Sequence, residues 1–277
     1  MDFKKVLNII HEADPEVFEK ISPRRHILKS FTSKVAVAAL PLALGSMFKK
    51  AYGKNTDVLY ETLSVLLRFE YLEAGFYGVA VASINNYPGA HHNAIRKLAE
   101  DENRHVRFLS DFLMSTSGIK PDMPNFDFSG GYGTGAGEFG NAFNNYNDFL
   151  TLAQVFEDTA VRAYKGQLPR INVTGIIEDA MRIHSIEAKH AAFIRMERRR
   201  MGAPVKPWVT YANSDITTIQ NNFVQHTYKG ENLDIQGSRS LESVGGYAVS
   251  EAQVTEAFDE PLLEADLKII MDPFIVP

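Results

Sequence analysis

Two stretches of this sequence place a glutamate three residues before a histidine: Glu102-Asn103-Arg104-His105 and Glu187-Ala188-Lys189-His190. They are the only such pairs in the chain. On a helix, residues three apart share a face, so a carboxylate and an imidazole at this spacing can grip one metal ion. With 19 Glu and 8 His, chance alone could supply one pair. Two pairs, each central in a helical pattern, ask for a cause. Both continue apolar stripes: Leu98, Glu102, His105, Leu109, Phe112 and Ile183, Glu187, His190, Ile194. These positions advance in steps of four, three and four, so both pairs point toward a core. A charged carboxylate in a core is costly without a compensating charge. Metal ions supply one, and this donor set suits iron, manganese or zinc. The alternative, a polar network in a metal-free core, leaves a bare carboxylate cluster buried.

Two more glutamates point the same way. Glu70 aligns with Leu63, Leu67 and Ala74, and Glu157 with Leu150, Val161 and Tyr164. Each stands seven residues before a tyrosine, Tyr77 and Tyr164, two turns along one face. Those tyrosines either hydrogen-bond the carboxylates from behind or are ordinary core residues. Glu73, one turn from Glu70, is an extra ligand, a supporting neighbour or a solvated group. The two halves repeat. Phe69-Glu70 matches Phe156-Glu157, and each leads by some thirty residues to a Glu-x-x-His pair. A duplicated helix pair would build a site of approximate twofold symmetry. Among the other histidines, His184 lies off the ligand stripe, and His91 and His92 fall in a turn and are expected to be exposed.

These residues need four helices to hold them. Periodicity predicts helices over about 56–83, 92–114, 147–167 and 174–201, ended by Asn85-Asn86-Tyr87-Pro88-Gly89, Gly118, Pro169 and Gly202. The first two are closely joined, as are the last two. Residues 115–146 between them form a long connection rich in Gly, Asn and Phe. Loops of that length are uncommon without a reason, and a crossover between two helix pairs is one. The run Gly130 to Gly137 lacks the Gly-Lys-Ser/Thr ending of a phosphate loop and reads as a flexible part of that crossover. The basic residues Arg195, Arg198, Arg199 and Arg200 close the fourth helix, where cations favour the negative end of the dipole. Beyond it, Ser250 and Gln253 suggest a capping box, and Pro261 suits the first turn of a helix over about 262–270. Residues 203–277 are expected to pack on the bundle as an extension without chemistry of their own.

One Glu on each of two helices with Glu-x-x-His on the other two resembles the ferritin-like di-iron and di-manganese carboxylate proteins. More narrowly, Glu70-Tyr71-Leu72-Glu73-Ala74 with Glu187-Ala188-Lys189-His190-Ala191-Ala192 looks like the bacterial ferritin-like family that includes desiccation-related proteins. The closing Ala257-Phe258-Asp259-Glu260-Pro261-Leu262 is similar to that family's C-terminus. The resemblance covers residues 56–277. It implies an all-α, ferritin-like four-helix bundle over 56–202 with one long crossover, and a C-terminal extension over 203–277. It also implies two metal ions, iron or manganese. Glu70, Glu102 and His105 would form one half-site; Glu157, Glu187 and His190 would form the other; Glu102 and Glu187 would bridge. Tyr77, Tyr164 and Glu73 would support them from behind. The chemistry implied is dioxygen- or peroxide-linked, either ferroxidase-like or catalase-like. The alternative is a non-enzymatic, metal-binding stress protein of the envelope.

Composition narrows the classes further. The absence of cysteine removes disulfides, iron–sulfur clusters and thiol catalysis, leaving oxygen and imidazole as ligands. A net charge of −5 without a basic stripe argues against a nucleic-acid partner. The expected partners are small molecules (dioxygen, peroxide or ferrous iron), with homo-oligomers left open. At the N-terminus, Arg24-Arg25 with Leu28-Lys29 precedes an apolar run from Val35 to Phe48, too short to span a bilayer. Residues 1–53 therefore look like a twin-arginine export signal, which implies a periplasmic or extracellular protein with no membrane span in its mature form.

Overall fold

The computed structural model describes residues 56–171, 173–216, 222–236, 239–241 and 249–277. The expected export segment, 1–53, lies outside them. Four long helices carry the fold: α1 (Thr56–Ala82), α2 (His92–Thr116), α3 (Tyr146–Gln167) and α4 (Thr174–Arg200). The ends fall within two residues of those the periodicity predicts. Helix α1 packs chiefly on α2 and α3 on α4, and the two pairs meet through α1 and α3. The architecture is thus the all-α four-helix bundle expected, with a single long crossover. No described helix is long and apolar enough to cross a membrane.

The stripes behave as their spacing demands. Leu98, Glu102, His105 and Leu109 of α2 are buried, as are Ile183, Glu187, His190 and Ile194 of α4. Helix α3 is covered on every side from Phe149 to Tyr164. Its inner face looks into the bundle and its outer face is roofed by the C-terminal extension. That extension contains α5 (Asn222–Tyr228), a short antiparallel hairpin β1–β2 (Ile235–Gln236 with Arg239–Ser240), α6 (Glu251–Ala257) and α7 (Glu264–Met271). Ser250 caps α6 in a full capping box with Gln253. Pro261 does not open a helix: α7 begins at Glu264, and residues 261–263 pass α3 outside any helix, with Leu263 extended. There the Leu262 amide donates to the Arg162 carbonyl at 3.0 Å. Only glycine fits beneath, because a Cβ on Gly166 would sit 1.9 Å from the Leu262 carbonyl oxygen.

The long crossover is more ordered than its composition suggests. Asn145 ends it by capping α3, its side chain accepting from the amides of Asn147 and Asp148. The glycine run read as flexible is a closed loop wound around Asp127. That carboxylate accepts from the Gly133 and Gly135 amides at 2.9 Å and from the amide and hydroxyl of Ser129. The crossover also pairs with residues near the C-terminus. The Asp127 amide donates to Phe274, Tyr132 to Pro273, and Val276 to Asn125. Phe76, Phe128, Phe143, Phe149, Phe156 and Phe274 form one aromatic cluster between crossover, α1 and α3. These contacts give the long connection a packing role.

Two arginines of the α4 run are not solvated dipole partners. Arg195 is fully buried and Arg198 nearly so. Arg195 makes a forked pair with Asp158 of α3 at 2.6–3.1 Å and reaches Asp215, while Arg198 donates to Gln154. Tyr228 of α5 donates to the same Asp158 at 2.6 Å. Nearby, Arg162 pairs with Glu231 at 2.6 Å and donates to the Glu260, Thr227 and Lys229 carbonyls. The extension is therefore held to α3 and α4 by buried, paired charges.

Candidate metal centre

All six residues singled out as ligands meet in the middle of the bundle. Glu70 on α1, Glu102 and His105 on α2, and Glu187 on α4 can each bring one ligand atom within 4.8 Å of the others. So can Glu102, Glu157 on α3, Glu187 and His190. Glu102 and Glu187 belong to both sets. The His105 and His190 rings lie 6.3 Å apart, centre to centre.

The inner ring nitrogen of each histidine, Nδ1, faces the carboxylates. His105 Nδ1 lies 3.3 Å from Glu70 Oε2, 3.0 Å from Glu102 Oε2 and 2.8 Å from Glu187 Oε1. His190 Nδ1 lies 2.9 Å from Glu102 Oε1, 3.5 Å from Glu157 Oε2 and 3.6 Å from Glu187 Oε2. Glu102 and Glu187 thus each turn one oxygen to either histidine. Glu70 serves only the first group and Glu157 only the second.

The tyrosines cross between the halves. Tyr77 of α1 donates to Glu157 Oε1 on α3, and Tyr164 of α3 donates to Glu70 Oε1 on α1. Each orients its carboxylate so that Oε2 is left for the centre. Burial and the adjacent glutamate raise both phenols well above their ordinary range, so both stay protonated donors.

The donor atoms fit metal better than they fit one another. Glu70 Oε2, Glu102 Oε1, Glu157 Oε2, both oxygens of Glu187 and His190 Nδ1 are buried without a hydrogen bond of acceptable geometry. Several lie within 3 Å of an oppositely charged atom, yet are not aimed at it. Burial drives Glu70 and Glu157 toward their neutral form. Glu70 is raised, with His105 opposing, and Glu157 is pushed up to about 8, with His190 opposing. For His105 and His190 burial works against the charge. The attraction of Glu70 and Glu157, respectively, and of the other carboxylates facing each ring outweighs it, so both hold a proton more tightly than usual. Protons on these histidines occupy the place that a cation with nitrogen and oxygen ligands would take.

Glu73 departs from expectation. The solvated reading does not hold: Glu73 is completely buried, and neither carboxylate oxygen has a partner. It belongs to neither four-residue set. Burial, then the charges of Glu187, Glu102, Glu157 and Glu70, lift it well above the carboxylate range. His91 and His92 are half-buried rather than exposed. His91 Nδ1 lies 2.9 Å from Glu197, and its ring stacks on Tyr146.

The spacing argument passed over Asp101. It looks like a surface residue, in helical register with Lys97 and Arg104, and it does pair with both. Yet its Oδ2 also lies 3.5 Å from the outer nitrogen, Nε2, of His190 on the facing helix. Helical periodicity carries no signal of a contact between helices. Beside it, Ala94, Leu98, Ile186, Lys189, His190 and Phe193 line a groove of about 430 Å³ between α2 and α4. His190 is the point at which the centre meets this groove.

Four helices in two antiparallel pairs, one long crossover and a buried Glu/His cluster define a ferritin-like protein. Residues 59–199 match the family model of the ferritin-like domain, and the chain belongs to that family. The match spans all four helices except the first three residues of α1 and the last of α4, and excludes the C-terminal extension. No curated protein and no solved structure matches the chain.

Proposed function

We propose that this chain binds two iron or two manganese ions through Glu70, Glu102, His105, Glu157, Glu187 and His190. Glu102 and Glu187, which belong to both groups, would be shared between the ions, and the centre would act on dioxygen, peroxide or ferrous iron. One observation carries this reading: each of those two glutamates divides its oxygens between the two histidines. A bound pair of such ions supplies shared redox cycling and open positions for a small substrate. The chain's part is to set geometry and exclude water. Tyr77 and Tyr164 fix the terminal carboxylates. The glutamates are sealed from solvent, and the groove at His190 gives small molecules an approach.

Elemental analysis of the protein purified from its native envelope fraction tests this, beside a Glu102→Ala/Glu187→Ala variant. The expected result is about two iron or manganese atoms per chain, lost in the variant with the fold retained. A wild-type protein without transition metal would overturn it. Recovery from the envelope would also support export through residues 1–53, to the periplasm or beyond. The support for that route is Arg24-Arg25 ahead of a short apolar run.

A second reading rests on the complete burial of all five glutamates. In that case the metal serves folding stability in a non-enzymatic stress or desiccation-related envelope protein. Turnover of peroxide or ferrous iron by the loaded protein separates the two readings.

A further inference from the structure

The internal repeat makes the two halves of the centre comparable position by position, so departures from symmetry can be read directly. The residue before Glu102 is Asp101; the residue in the matching place before Glu187 is Ile186. Asp101 faces the outer nitrogen of His190 at 3.5 Å, from the helix opposite. It is fixed in that place by Lys97 and by Arg104, whose Nη1 lies 2.8 Å from Oδ1. The ion pairs of His105 among the described residues all lie on its inner nitrogen, toward Glu70, Glu102 and Glu187. Thus one imidazole faces carboxylates at both of its nitrogens, and the other at one.

We infer that Asp101 is a positioning residue that makes the two metal positions unequal, so that the position served by His190 and Glu157 fills first. This rests on the di-metal reading above. A carboxylate on the outer nitrogen places the proton there and frees Nδ1 to donate its lone pair inward. It also keeps the ring from turning and raises its basicity toward the ion. Removing a partner of this kind typically weakens metal binding by about 10–100-fold. Ile186 can do none of this. The groove reaches the centre beside the same histidine, so the tighter position is also the one nearer the approach from solvent.

Glu73 has no counterpart either, since the matching position on α3 is Ala160. Unequal filling in the wild type therefore does not by itself identify the cause. Substitution at 101 does. Asp101 is at the rim of the bundle, outside the six-residue set, so its variants should fold; circular dichroism checks this.

The test is titration of the metal-free protein with Mn(II), followed by electron paramagnetic resonance, which distinguishes an isolated ion from a coupled pair. In the wild type the first equivalent should appear as isolated ions and the second should convert them into pairs. Asp101→Ala should weaken the first step by about 10–100-fold and leave the second close to its wild-type value. Isolated ions and pairs would then appear together before the first equivalent is complete, instead of in sequence. Asp101→Glu should restore ordered filling. Coupled pairs from the first addition in the wild type, or an unchanged first step in Asp101→Ala, would overturn the role of Asp101 while leaving the di-metal centre standing. A wild-type protein that takes up no Mn(II), indistinguishable from Glu102→Ala/Glu187→Ala, would overturn both.

Discussion

Helix α3 buries charge on both of its faces, and the two faces treat it differently. On the outer face, Asp158 and Asp215 meet Arg195, Glu231 meets Arg162, and Arg198 donates to Gln154, while backbone carbonyls accept from Arg162 and Tyr228 donates to Asp158. Each of these three carboxylates has an arginine partner within the protein. On the inner face, Glu70, Glu73, Glu102, Glu157 and Glu187 meet only His105 and His190, with hydrogen bonds from Tyr77 and Tyr164. Five carboxylates against two imidazoles leave buried oxygens without partners. The outer cluster lacks a partner for a single oxygen, Glu231 Oε2, whereas the inner one leaves seven carboxylate oxygens and His190 Nδ1 unpartnered, a set compatible with a bound cation.

The largest test of this contrast is Arg195→Ala. It strands Asp158 in the interior and should cost about 3–5 kcal/mol. Because the outer cluster does not depend on metal, denaturant melts should give the same loss with and without bound ion. A loss confined to the loaded protein would break the distinction.

A smaller effect separates the clusters by pH. Glu157 holds its proton up to about 8, against 4.5 when unperturbed, so the metal-free fold binds this proton more tightly than the unfolded chain. Stability from that source is greatest at low pH and declines as pH rises from about 4.5 to about 8. His105 and His190 act in the same direction above their unperturbed 6.5, since their shifts are also upward. Metal replaces the protons, so the loaded protein should lack this decline. The gap in stability between loaded and chelated protein should widen with pH, reaching about 3 kcal/mol when free metal exceeds its dissociation constant about a hundredfold. Glu231, pushed up to about 7 by burial against the pull of Arg162, titrates alike in both forms and cancels from the difference. Parallel melting curves from pH 5 to pH 8 would contradict the assignment.

The smallest effect sharpens the inner geometry. Tyr164→Phe removes one hydrogen bond to a buried carboxylate and should cost about 1.5 kcal/mol in the metal-free protein. Tyr77→Phe should match it, because the two bonds are related by the internal twofold. Clearly unequal losses, measured by denaturant melts, would show that the halves are held differently.

The six ligand candidates were legible in the sequence because each sits on a long helix, where a period of 3.6 converts spacing into direction. Glu70, Glu102, His105, Glu157, Glu187 and His190 all continue apolar stripes, and the fold follows from the same stripes and breakers. What was hidden depends on contacts distant in sequence. Glu73 is enclosed by neighbours from other helices; Asp101 reaches a histidine across a helix interface; Arg195 finds its partner on α3. Asp127 gathers the glycine loop through backbone amides that no side-chain pattern announces. Pro261 was misread because its role is set by the approach of a non-helical segment to Gly166, not by a helix start.

The crossed tyrosines have a consequence for descent. Neither half of the repeat holds its own terminal carboxylate: Glu70 depends on Tyr164, and Glu157 on Tyr77. A change at 70 therefore bears on 164, and a change at 77 on 157. A lineage that lost either tyrosine would carry an unsupported acid on the opposite helix until that position also changed.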